Sequence, residues 1–201
     1  MILRFSINKD SINKKINQAL ANNNLLKIKS YTLADSYFKR AKNIMLKTFD
    51  SHPITIELEG GPDNQENISG TLDGYGNLYS FIGFYNGEKP TENLRQILDN
   101  LTYIKPTVLR NNKFYFKVST PSKEEIENVT QMPWENGNSW AYEVEGEISG
   151  LSHFLYKEWV NSRSSMGIQL KHKYIESISF HGRPYITEIL NNFKEIINKQ
   201  V

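Results

Sequence analysis

The chain reads as an α+β fold: a long N-terminal helix, an antiparallel sheet of about four strands and a C-terminal helix packed on that sheet. Three observations predict it. Leu33, Tyr37, Ala41, Ile44, Met45 and Phe49 recur at helical intervals. Residues 103–109 and 113–119 read as strands, the second alternating Phe114, Phe116 and Val118 with Tyr115 and Lys117, and Asn111-Asn112 supplies a hairpin-like turn between them. Ile186, Ile189, Leu190, Phe193, Ile196 and Ile197 place a third apolar stripe after Pro184, a residue suited to a helix first turn.

Residues 2–7 (ILRFSI) suit a short strand or an extended arm, and Asp10-Ser11 offers an N-cap to a helix carrying Ile12, Ile16 and Leu20. The triple Asn22-Asn23-Asn24 ends that helix. The long helix then runs from about Thr32 to Asp50, a span of roughly 28 Å, and Pro53 stops it. Phe38 and Leu46 widen its apolar stripe. Residues 54–58 (ITIEL) alternate like a short strand.

Seven of the twelve glycines fall between Gly60 and Gly87, in GGPDNQENISGTLDGYGNLYSFIGFYNG. Glycine-rich backbone makes tight turns. The second half of this stretch also carries Tyr75, Leu78, Tyr79, Phe81, Ile82, Phe84 and Tyr85. So many rings predict an ordered loop or hairpin, buried either against a neighbouring subunit or in the subunit's own core.

Residues 90–101 predict a short helix with Thr91 as cap and Leu94, Ile97, Leu98 and Leu101 inward. Ser122 with Glu125 is a capping-box pattern opening a helix over 123–130. Residues 134–146 return to strand character, 151–160 lean to helix, 161–167 form a polar loop, and 168–180 supply a further strand. No internal repeat or linker divides the chain, so residues 1–201 form one domain, with an N-terminal arm and helix over 1–30 and a glycine-rich aromatic loop over 59–88.

Composition narrows the function classes. Hydrophobic residues make up 38% and charged residues 23%, enough for a real core. The formal charge of +2 argues against binding nucleic acid by bulk charge. With no cysteine, disulfides and thiolate metal sites are excluded. The N-terminus, MILRFSINKDSINKK, lacks the apolar run of a secretion signal, and no stretch is long enough to span a membrane, so a protein kept in solution is expected. The Asn-x-Ser/Thr triplets at Asn67, Asn100 and Asn128 follow from a general richness in Asn.

No catalytic constellation has usable spacing. His52, His153, His172 and His181 include no i, i+4 pair, and His52 beside Pro53 suits a role at a helix end. Ser149 in Gly146-Glu147-Ile148-Ser149-Gly150 has the wrong spacing for a nucleophile elbow. Gly74-Tyr75-Gly76 lacks the third glycine of a dinucleotide fingerprint. Glu57 with Glu59, and Glu143 with Glu145, would each share a strand face and meet either solvent or a metal. Arg163 among Ser162, Ser164 and Ser165 offers an anion site or a contact to a neighbour. The chain is therefore expected not to be an enzyme and to need no cofactor or metal.

Two long phrases carry a family resemblance. Residues 49–84 (FDSHPITIELEGGPDNQENISGTLDGYGNLYSFIGF) and 140–171 (WAYEVEGEISGLSHFLYKEWVNSRSSMGIQLK), with the closing PYITEILNNF over 184–193, resemble tailed-bacteriophage neck, tail-completion or head–tail connector proteins. The resemblance covers roughly residues 38–195 and brings no catalytic residues. It implies a structural virion protein that forms a homo-oligomeric ring at the neck, meets other connector, portal-adaptor or tail proteins, and lets DNA pass through its channel. Its place would be the virion, reached through the host cytoplasm during assembly, with no membrane involved. A tail terminator or baseplate component is the alternative within virions, and a small phage nucleic-acid-binding protein is the alternative of another class. Ring contacts join unlike surfaces. Tyr75, Leu78, Tyr79, Phe81 and Phe84 of the loop, with Arg163, are the expected interface residues, the loop partly exposed in an isolated subunit. Removing 70–84 is then expected to leave a folded monomer.

Overall fold

A computed structural model describes residues 9–64, 67–72, 77–110, 113–133, 135–146 and 180–199. The expected elements at 2–7, 151–160, 161–167 and 168–179, and the Asn111-Asn112 turn, lie outside the described residues.

Helix α1 spans Lys9–Asn22 and α2 spans Asn24–Asp50. The long helix thus begins eight residues earlier than its apolar spacing indicates. Asn23 is the reason: its carboxamide oxygen accepts from the Leu26 amide at 3.1 Å, so one residue of the asparagine run separates α1 from α2 and starts the second. At 27 residues α2 is about 40 Å long.

Residues Pro53–Glu59 form helix α3, where a strand was expected. Five alternating residues fit either period. Pro53 in the first turn decides it, together with the His52 ring, whose Nδ1 accepts from the Ile54 amide at 3.3 Å. Ile54, Thr55 and Leu58 turn inward and Ile56 outward, as a helix requires. Helix α4 (Leu78–Ile82) lies inside the glycine-rich stretch, capped by Asn77 and ended by Gly83 at φ 89°. Helix α5 spans Pro90–Asn100; Lys89, not Thr91, occupies its cap position.

Strands β1 (Tyr103–Arg110) and β2 (Lys113–Ser119) pair antiparallel, Ile104 opposite Val118, with a bulge between Pro106 and Val108. Helix α6 (Lys123–Val129) carries the full capping box: Ser122 Oγ accepts from the Glu125 amide at 3.2 Å, and the Glu125 carboxylate accepts from the Ser122 amide at 2.7 Å. Short strands β3 (Gln131–Met132) and β4 (Glu135–Ser139) form a second antiparallel pair. The strand character read over 134–146 stops at Ser139, whose hydroxyl caps helix α7 (Trp140–Glu143). Helix α8 runs Ile186–Lys199.

Among the described residues the sheet is therefore two separate two-stranded pieces, not one sheet of four. Nor, among the described residues, does the C-terminal helix lie across a sheet. It packs along α2, with Phe193 edge-on to Phe38 at 6.2 Å. Helices supply the core instead. Phe38, Ala41, Met45 and Phe49 of α2 meet Leu78, Tyr79 and Ile82 of α4, Leu94 and Leu98 of α5, and Ile186, Ile189 and Phe193 of α8. Fully burying a Phe or Ile side chain contributes about 1.5–3 kcal/mol, so this helical cluster, rather than either strand pair, holds the fold together.

Candidate functional site: a clasped loop and an exposed helix face

The glycine-rich stretch is organised by two side chains. Glu57 of α3 is fully buried, and its two carboxylate oxygens accept from backbone amides, Ser69 N–H at 2.7 Å and Leu78 N–H at 2.6 Å. A buried carboxylate is costly unless it is hydrogen-bonded, and charge-assisted bonds of this kind offset that cost. Asn77 does the rest. Its Oδ1 accepts from Ser80 N–H at 2.8 Å, while Nδ2 donates to the carbonyls of Gly61 (3.2 Å), Pro62 (3.0 Å) and Asn64.

A second strap holds the same stretch from outside. His181 N–H donates to Thr71 O at 2.9 Å, Arg183 N–H donates to Val144 O at 2.9 Å, and the Arg183 guanidinium donates to Ser69 O. Gly182 is needed here: a Cβ would lie against the Gly146 carbonyl and 2.6 Å from the Glu145 oxygen. Phe180 stacks on Phe81 at 5.7 Å. The strap ends at Tyr185, which is fully buried against Phe49 and the His52 ring, 4.8 Å away, and shares a 2.8 Å hydrogen bond with the Thr55 hydroxyl. Burial pushes the Tyr185 phenol well above its ordinary range. Burial also lowers the His52 pKa, aided by the Arg183 guanidinium and opposed by the carboxylates of Glu188 and Glu145.

Of the loop residues expected to meet a neighbour, three lie inside the subunit. Leu78 and Tyr79 are fully buried and Phe84 nearly so, so the expected partial exposure is not found at these three. The left-handed Gly83 turns Phe84 back onto Tyr79 (5.4 Å) and edge-on to Trp140 (5.9 Å). The Tyr79 hydroxyl is held by the carbonyls of Tyr85 and Glu88. These rings fill the subunit's own core, and removing residues 70–84 would take Leu78, Tyr79 and Ile82 out of it. Phe81 is half-buried; Tyr75 and Arg163 lie outside the described residues, as do Ser149, His153 and His172.

Glu57 and Glu59 separate as well. On a helix, positions two apart face different ways, so Glu57 points inward and Glu59 outward. Glu145 caps α8 from another segment, its carboxylate accepting from the Tyr185 amide at 3.2 Å and the Thr187 amide at 2.6 Å. Among the described residues no group of three or more His, Asp or Glu could hold a metal, and no helix is long and apolar enough to cross a membrane.

What spacing alone misses is that the α2 stripe splits in two. Leu33, Tyr37 and Ile44, in the same stripe by spacing as Ala41, Met45 and Phe49, are 57%, 44% and 39% exposed. Nearer the start of α2, Leu25 and Ile28 are more than 60% exposed. Arg40 and Lys47 share the face of Leu33, Tyr37 and Ile44 and are also exposed. Beyond the C-terminal end of α2 a groove of about 390 Å³ is lined by Leu58, Glu59, Glu88, Lys89, Thr91, Glu92 and Arg95. Arg95 grips Asp50 of α2 through Nε at 2.6 Å and Nη2 at 3.0 Å, and Lys42 pairs with Asp99 at 2.7 Å. Charge follows the same division: residues 1–50 hold ten basic and three acidic side chains, and residues 51–201 hold fourteen and nineteen.

Compared with known protein families, curated proteins and solved structures, the chain matches none.

Proposed function

We propose that this chain is a structural protein of a tailed-bacteriophage particle, forming a ring at the neck that completes the tail and joins it to the head. The observation that carries the reading is the outer face of α2. A helix of about 40 Å turns one face into the core and leaves Leu25, Ile28, Leu33, Tyr37 and Ile44 open on others. Leu33, Tyr37 and Ile44 share one of those faces, and exposed large apolar side chains grouped in this way mark a contact surface. The phrases at residues 49–84 and 140–171, which resemble those of neck and tail-completion proteins, support an assembly of that kind.

The test is direct. Mass spectrometry of purified particles is expected to find the chain in several copies, and an electron-microscopy map is expected to place it at the neck. Density at the baseplate or tail end would favour the neighbouring structural roles instead. Absence of the chain from mature particles overturns the reading.

A nucleic-acid-binding protein is the second reading, favoured by the basic excess of residues 1–50 together with exposed Tyr31 and Tyr37. Salt-sensitive binding of a DNA duplex, lost on replacing Arg40, would support it.

A further inference from the structure

We propose that the Leu33–Tyr37–Ile44 stripe of α2 docks a second copy of this chain through that copy's acidic groove at Glu59, Glu88 and Glu92. The inference rests on the assembly reading above and names the contact between subunits.

Three observations carry it. The first is spacing. Leu33, Tyr37 and Ile44 stand at i, i+4 and i+11, with Arg40 and Lys47 at i+7 and i+14, so one exposed face carries an apolar centre beside two cations. The second is charge. Ten basic against three acidic residues in the first fifty makes two such faces repel one another. The rest of the chain, with nineteen acidic against fourteen basic, supplies the complement. The third is the groove itself. Glu59, Glu88 and Glu92 give it an acidic rim above the buried Leu58, and its volume of about 390 Å³ admits an aromatic side chain. Arg95, one of its two cations, is already engaged by Asp50.

The contact cannot close within one molecule. Arg95 of the groove holds Asp50, about 120–140° around α2 from Ile44 and Tyr37, so these two apolar residues turn away from their own subunit's groove. Each copy therefore offers one stripe and one groove, two unlike surfaces. Repeated contacts of that kind generate a ring if the rotation closes and a filament if it does not.

The test uses the full-length chain in sedimentation velocity at low and high sodium chloride. The parent protein is expected to self-associate, more strongly at low salt. Arg40→Glu, which spoils only the stripe, and Glu92→Lys, which spoils only the groove, are each expected to weaken association by about tenfold or more. Both residues are exposed, so circular dichroism is expected to match the parent. Equal amounts of the two variants, mixed, still hold one intact stripe and one intact groove, and are expected to associate more tightly than either variant alone. A mixture that stays monomeric, variants that associate like the parent, or a parent that is monomeric throughout would overturn the contact. So would duplex DNA binding that Arg40→Glu abolishes while self-association is unchanged. Finding the chain in purified particles beside any of these results removes the contact and leaves the assembly reading standing. Its absence from particles removes that reading on its own.

Discussion

Glu57 and Leu78 stand twenty-one positions apart in the chain, yet the Leu78 amide donates to the Glu57 carboxylate at 2.6 Å. The other carboxylate oxygen takes the Ser69 amide at 2.7 Å, so one side chain fixes both ends of the segment between them. Glu57→Gln keeps one acceptor and turns an NH2 group toward an amide donor. A loss of about 2–3 kcal/mol is expected in urea unfolding. Unchanged stability would mean that the clasp adds nothing.

Gly182→Ala tests the strap. The new methyl would press on the backbone of Glu145 and Gly146, which cannot withdraw without breaking the Arg183-to-Val144 hydrogen bond. A loss of about 2 kcal/mol is expected, read as a lower melting temperature. Gly146→Ala is the control, because nothing lies within 4 Å of its Cβ position. It is expected to stay within about 0.5 kcal/mol of the parent.

His52 gives the fold an acid-side dependence. Its folded pKa lies below the ordinary 6.5, so between the two values the unfolded chain holds more protons. The stability associated with His52 is then complete above about 6.5 and falls as pH drops toward the lowered folded value. Protonation also removes the Nδ1 lone pair that accepts from Ile54 N–H. His52→Asn keeps a capping oxygen and is expected to flatten this slope in unfolding curves measured across the range.

Tyr185 acts at the other end of the scale. Its phenol is raised above the ordinary value near 10, so the unfolded chain gives up this proton first and stability falls as pH rises past about 10. Tyr185→Phe is expected to remove that part of the alkaline loss. At neutral pH it should cost about 1 kcal/mol, because the buried Thr55 hydroxyl loses its partner. Ultraviolet titration of phenolate alongside unfolding curves checks both.

Local signals in the sequence were legible wherever one residue settles one element. The capping box at Ser122 and Glu125 gives α6, the alternating residues give β2, and the stripe after Pro184 gives α8. Elements with too short a pattern, or settled by distant partners, were not. Ile54–Leu58 alternates over five residues, too short to separate a strand from a helix, and the deciding cap comes from His52. Glu57 looks like half of a surface carboxylate pair because its partners, Ser69 and Leu78, lie 12 and 21 residues away. The α2 stripe was visible, but spacing cannot tell which of its apolar residues the rest of the chain covers. Leu33, Tyr37 and Ile44 stay uncovered, while the loop rings at Tyr79 and Phe84 go inside.

The close approach of Gly182 to Gly146 brings together the two points where the chain leaves α7 and re-enters ahead of α8. Backbone contact shuts this junction, with Arg183 N–H on Val144 O at 2.9 Å, so the end of α7 and the approach to α8 hold each other directly. Closing a loop twice as long between fixed ends costs only about 0.6 kcal/mol more. A change in the length of chain joining two ends tied in this way is therefore expected to cost the helical body little in closure entropy.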